Sequence, residues 1–118
     1  MPYSTHAKNY MLDQLRLNKA LYASLHTAIP GDTGANEVAG GAPAYARKSI
    51  AFGVAAAGVI NATNQPVFDV PAGTTVAFVG FWDALTAGNF VGSADVVDEV
   101  FAGQGTYTLT SGALNLNL

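Results

Sequence analysis

A chain of 118 residues without cysteine has no thiolate for a zinc or iron–sulfur centre. It is long enough to bury about two-thirds of its unfolded surface without a disulfide or metal. Half of the residues are hydrophobic, 11% are charged and the net charge is −3, which leaves no basic stripe for nucleic acid and predicts a surface partly covered by partners.

The charges are unevenly placed. Residues 1–48 hold all five cations (Lys8, Arg16, Lys19, Arg47 and Lys48) against Asp13, Asp32 and Glu37, a balance of +2. From Ser49 to Leu118 there are five acids (Asp69, Asp83, Asp95, Asp98 and Glu99), and no Lys, Arg or His. More than half of the chain therefore lacks an imidazole, a thiol and a cation clamp for catalysis, and the asymmetry suits head-to-tail association of copies or is a chance distribution of few charges. The first residues, Met-Pro-Tyr-Ser-Thr-His, lack the basic and apolar regions of a secretory leader. No apolar run approaches the roughly 20 residues that span a bilayer.

In chain order, Thr5 to Lys19 predicts the one helix, capped by Ser4 or Thr5, with Met11, Leu12 and Leu15 on one face. A helix this short must dock on its own domain or on a neighbour. Leu21 to Thr27 switches to period two and predicts a half-buried strand, with Leu21, Ala23 and Leu25 inward and Tyr22, Ser24 and His26 outward. Ile29 to Ala44 is rich in Gly and Pro, and so long a loop is expected to be functional or packed on a partner.

Tyr45 to Gly53 predicts a strand, Ala55 to Val59 a bend, and Pro66 to Val70 a short strand ended by Pro71-Ala72-Gly73. Thr74 to Trp82 is apolar on both faces and predicts a central strand. After a turn over Asp83–Asn89 come two short runs around Asp95, Phe90–Ala94 and Val96–Phe101. The last two strands, Gly105–Thr110 and Ala113–Leu118, alternate around Ser111-Gly112. Seven or eight short strands imply a mainly β, antiparallel β-sandwich or jelly-roll-like fold with one N-terminal α-helix. The expected organisation is a single domain over 1–118, with a helical arm over 1–20 and the sandwich over 21–118.

The candidate chemistry is sparse. His6 and His26 are the only imidazoles; a hydrolase would need one beside Ser24 or Ser49 and Asp83, and no nucleophile elbow is present. Asp32, Asn36 and Glu37 share a Gly-rich loop and could ligate calcium, but the spacing does not match the calcium loop of a helix–loop–helix site and turn chemistry is the preferred account of them. Asp95, Asp98 and Glu99 form a second acidic group, readable as charges that protect a sheet edge. Tyr22, Tyr45, Phe81, Trp82 and Tyr107 could form a sugar platform or serve as core and interface anchors. Gly40-Gly41 lacks the Lys and helix of a phosphate cradle. The reading assigns no catalytic, cofactor-binding or metal residue and no cofactor.

The runs Leu21-Tyr-Ala-Ser-Leu-His-Thr-Ala28, Pro30-Gly-Asp-Thr-Gly-Ala-Asn-Glu-Val38, Gly40-Gly41 and Tyr45-Ala-Arg47 resemble a family of small tailed-phage virion proteins. Phe68-Asp-Val-Pro-Ala-Gly73, Val79-Gly-Phe-Trp-Asp83, Ala87-Gly-Asn89 and Gly112-Ala-Leu114 continue the likeness. Such proteins are labelled tail-fibre or minor tail proteins, and related ones head or capsid accessory proteins. The sequence departs from that pattern in the inserted Ala42-Pro43-Ala44 and in the acids of Val91–Phe101; both would alter loops, where partner choice resides. The resemblance implies a non-enzymatic virion component on the particle surface, either capsid decoration or minor tail. It would assemble in the host cytoplasm with copies of itself and with major capsid or tail proteins. The alternative is a carbohydrate-binding β-sandwich that attaches to a host surface glycan.

Overall fold

A computed structural model describes residues 3–115. Helix α1 (Thr5–Asn18) begins where the Ser4 hydroxyl accepts the Ala7 N–H at 3.1 Å, which satisfies one of the donors a helix start leaves free. Its inner face buries Leu12 and packs Leu15 against the core. Two polar side chains fasten it to the rest of the chain. Asn9 accepts the Gly58 N–H at 2.8 Å and Asp13 accepts the Ala55 N–H at 2.9 Å. That backbone N–H, with Arg16 beside it, holds the Asp13 carboxyl below its ordinary value. The helix thus docks on its own chain. Among the described residues no helix is long and apolar enough to cross a membrane.

The bend at 55–59 is a tight hairpin turn. Ala57 (φ 53°) and Gly58 (φ 74°) both take the left-handed conformation that a two-residue β-turn requires, and Ala56 and Val59 exchange backbone hydrogen bonds of 3.0 Å. It leads into a strand that sequence alternation had not marked, since only three residues follow the turn.

Eight strands are described: β1 (Leu21–His26), β2 (Lys48–Ile50), β3 (Val59–Asn61), β4 (Val67–Val70), β5 (Thr74–Trp82), β6 (Phe90–Phe101), β7 (Gly105–Thr108) and β8 (Ala113–Asn115). The main sheet has the order β2-β1-β5-β6; β3 pairs with β8 and β4 with β7, and every pairing is antiparallel. The fold is mainly β with one helix, in a sandwich-like arrangement. Leu21, Ala23 and Leu25 of β1 and Val79 and Phe81 of β5 join Ile50, Ile60, Phe68, Val70 and Leu114 in one core.

Three sequence expectations change here. First, β1 is buried on both faces, not half-buried: Ser24 and His26 are 0% exposed, because the segment after β1 folds back over them. Second, the strand expected over Tyr45–Gly53 shrinks to Lys48–Ile50. Tyr45 and Arg47 instead carry side-chain bonds to other elements, and Phe52 makes an isolated bridge to Ala62. Third, Phe90–Phe101 is one strand with a bulge. Val76 lies opposite Glu99 and Phe78 opposite Asp95, so Ala77 alone faces Val96, Val97 and Asp98. The bulge pushes Val97 out to 90% exposure, and Val100 is 74% exposed. Such kinks re-aim an edge strand and hinder edge-to-edge pairing.

The strands flanking Ser111-Gly112 do not pair with each other. Leu109 N–H bonds to Pro66 O and Ala62 N–H to Gly112 O, so the chain crosses from the β4 side to the β3 side between them. Residues 116–118 of the expected last strand lie outside the described residues. The outer edge of β2 is closed by Asn64, which accepts the Ala51 N–H at 3.0 Å and donates to Ser49 O at 3.1 Å, and by the Thr63 N–H on Ala51 O at 2.8 Å.

Candidate functional site

The segment 27–47 packs over the Ser24/His26 face of the main sheet. Its ties begin at the outer edge of β1. There Glu37 bridges His26, Val38 N–H bonds to Leu25 O, and the Leu25 N–H donates to the Tyr45 hydroxyl at 3.0 Å. Gly34 (φ 75°) lies against Trp82 and Phe90, where an added Cβ would fall 2.4 Å from the indole.

Beneath the segment is a closed chain of polar bonds. His26 Nδ1 is 2.7 Å from Ala35 O, and its Nε2 is 2.7 Å from Ser24 Oγ. Trp82 Nε1 donates to the same Oγ at 2.9 Å. A carbonyl only accepts, so the network assigns the proton to Nδ1 and makes Nε2 the acceptor of the Ser24 hydroxyl. Desolvation holds the imidazole below its ordinary pKa, against the opposing pull of the Ala35 carbonyl and Glu37. Gly80 makes the approach possible, since a Cβ there would sit 2.5 Å from Nε2 and 2.6 Å from Oγ.

Sequence reasoning weighed Ser24, His26 and Asp83 as hydrolase partners. The structure brings the first two together but in a sealed place. The Ser24 hydroxyl already accepts from Trp82, and His26 is oriented by a backbone carbonyl, not a carboxylate. Asp83 serves its own turn. Its Oδ1 accepts the Asn89 N–H at 2.7 Å and its Oδ2 the Asn89 amide at 3.0 Å, and the first of these keeps its carboxyl below the ordinary range. Ser49 is exposed on β2. His6 stands on the outer side of α1, beside Tyr3 and Tyr10.

The calcium candidates are likewise dispersed into other roles. Both Glu37 oxygens meet Arg47, at 3.0 Å each, and one also accepts from Tyr45 at 2.9 Å. Asn36 (φ 64°) donates to Ile29 O, as turn chemistry anticipates. Among the described residues no three acids or histidines are grouped as metal ligands. Tyr45 is stacked on Phe68. The five rings form no exposed platform: Phe81, Trp82 and Tyr107 are buried, Tyr45 packs on the core and Tyr22 is half-buried. Burial also raises the Tyr45 and Tyr107 hydroxyl pKa values.

Sequence reasoning missed the residue that ties this region together, Arg47. Its guanidinium lies 3.7 Å over the Trp82 ring and forks onto Glu37, while Nη1 donates to Ala84 O at 3.0 Å and Ala87 O at 2.8 Å. One side chain thereby joins the covering segment, the turn after β5 and the indole. The available signal was chemical: a lone Arg in a charge-poor stretch, in a chain with a single Trp.

What stays outside is apolar. Tyr10 and Leu17 line the outer face of α1 at 61% and 65% exposure, Tyr3 just before the helix is 52% exposed, and Val97 and Val100 stand out from β6. A groove of about 520 Å³ runs beside the bulge between Asp95–Glu99 and Tyr107–Ser111.

A family model described as podophage GP4 fiber I protein gp80 matches residues 2–117. The chain belongs to this Gp80 family. The match spans the helix, all described strands and the covering segment, so the whole architecture is that of a phage fibre family, and the resemblance to tailed-phage virion proteins holds. No curated protein is similar enough to count as a relative.

Proposed function

We propose that this chain is a non-enzymatic structural component of a phage fibre, present in many copies on the particle surface. Copies of itself and other virion proteins would hold it there, and assembly would take place in the host cytoplasm. The fibre family supports that placement over capsid decoration. The observation that carries the reading is the outer stripe of α1. Tyr10 and Leu17 stand seven residues apart on the face of α1 opposite the docked Leu12, with Tyr3 exposed just before the helix, and so much exposed apolar surface on an 11%-charged chain suits burial between subunits.

The test is the solution mass of the purified protein by light scattering, for the native chain and for a Tyr10→Lys/Leu17→Lys variant. The native chain is expected to be multimeric at tens of micromolar and the variant monomeric, with far-ultraviolet dichroism unchanged. A monomeric native chain would count against self-association. If that monomer bound host glycans and the variant did not, the Tyr10/Leu17 face would be an attachment surface instead.

A further inference from the structure

We propose that protonation of His26 releases the 27–38 segment from the main sheet, so that this segment is an acid-opened strap over Trp82. Nδ1–H already donates to Ala35 O and Nε2 accepts the Ser24 hydroxyl, so a second proton has to go on Nε2. Ser24 Oγ would then face two donors, His26 Nε2–H and Trp82 Nε1–H. Its own proton would be left without an acceptor beside Gly80, and a buried polar group so orphaned is costly. The charge itself would be desolvated.

The surroundings do little to accommodate that charge. From the covering segment Glu37 favours the imidazolium and Arg47 opposes it, and Glu37 is already committed to Arg47 and Tyr45. On β5 the neighbours are Gly80 and Trp82, and on β6 the Phe90 ring stands edge-on at 6.2 Å. Asp95 shares the cross-strand row His26–Phe78–Asp95 but lies two strands away and exposed. Asp32, within the strap, is exposed as well.

The strap is the element that yields, because its backbone ties are few. Thr27 N–H bonds to Asn36 O and Ala35 N–H to Pro30 O within it, and Val38 N–H bonds to Leu25 O, whereas β1 is paired along five residues of β5. Local openings draw on such thinly bonded segments. The sign follows from linkage. The closed ring is held neutral, so the open form takes up the proton first as pH falls below about 6.5, the ordinary histidine value. Closure is complete above that pH and weakens below it, until the closed form also protonates.

The test follows Trp82, the single indole, from about pH 8 to pH 4.5 in the native chain. Emission, far-ultraviolet dichroism and amide exchange are recorded together. Below about pH 6.5 the opening constant of the Thr27 and Val38 amides, corrected for intrinsic exchange, should rise about tenfold per pH unit. Trp82 emission should change in step and dichroism should stay constant. His6→Ala should leave this behaviour intact, and His26→Gln should abolish its pH dependence. The proposal is overturned if protection and emission stay flat to pH 4.5, if the sheet signal is lost in the same step, or if the step survives in His26→Gln. Should that variant not fold, the ring resonances of His26 in the native chain decide. Titration that coincides with strap opening supports the proposal, and titration without opening overturns it.

Discussion

Replacing Arg47 with alanine is expected to lower stability by about 2–3 kcal/mol, below the about 3–5 kcal/mol for a fully buried ion pair because the Glu37 side chain keeps 23% of its surface in solvent. Three losses coincide. The Glu37 carboxylate is left inside with only Tyr45 as donor, the Ala84 and Ala87 carbonyls lose theirs, and the upper face of Trp82 is uncovered. Denaturant titration followed by Trp82 emission measures it. Arg47→Lys should recover little, since an ammonium cannot fork onto both Glu37 oxygens while reaching two carbonyls and covering the indole. Lys19→Ala is the contrast. Its ammonium is 3.9 Å from Asp83 and over half exposed, so little change is expected. Similar results for Arg47→Ala and Lys19→Ala would show that Arg47 does not fasten the covering segment.

Gly80→Ala is expected to be the most damaging single methyl group in the sheet. The new Cβ would meet Nε2 of His26 at 2.5 Å and Oγ of Ser24 at 2.6 Å, with Phe90 at 3.0 Å. None of the three is the loose end of a long side chain. Ser24 and His26 are fixed by Trp82 and Ala35, so relief requires breaking one of those bonds or lifting the strap. Overpacking of this kind costs about 1–3 kcal/mol, and the lost hydrogen bond adds about 1 kcal/mol. Gly73→Ala provides a reference: nothing lies within 4 Å of its Cβ, and only the φ of 77° is strained. Equal midpoints for the two variants in denaturant titrations would contradict a tightly closed Ser24–His26–Trp82 cluster.

The two central strands were legible because each carries its own pattern. Thr74–Trp82 is apolar on both faces and lies inside the main sheet, and the strand Leu21–His26 ends one residue short of the expected end. Asp83 and Asn89 closed a turn, as their positions suggested. Alternation could not say what would cover each face. His26 and Ser24 looked like the wet side of β1, and only the return of 27–47 makes them interior.

Other features depended on contacts remote in sequence. The bulge at Val96–Asp98 answers to Ala77 across the sheet, and the short β3 is held by β8 more than fifty residues away. Arg47 acquires its role from Glu37, Ala84 and Ala87, which no local spacing connects. Among the candidate site residues, proximity of Ser24 and His26 was readable from their i, i+2 placement on one strand. That their hydroxyl and imidazole would be sealed under Trp82 was not.

The central claim is that the chain acts through the surfaces it presents to other virion proteins. Quantitative mass spectrometry of purified phage particles, with the native gene replaced by the Tyr10→Lys/Leu17→Lys allele, tests it most directly. Native particles should carry many copies per virion, and mutant particles should carry about tenfold fewer although the variant accumulates folded in the host, a loss equivalent to about 1.4 kcal/mol of interface. Absence of the native chain from particles, or undiminished incorporation of the variant, would contradict it.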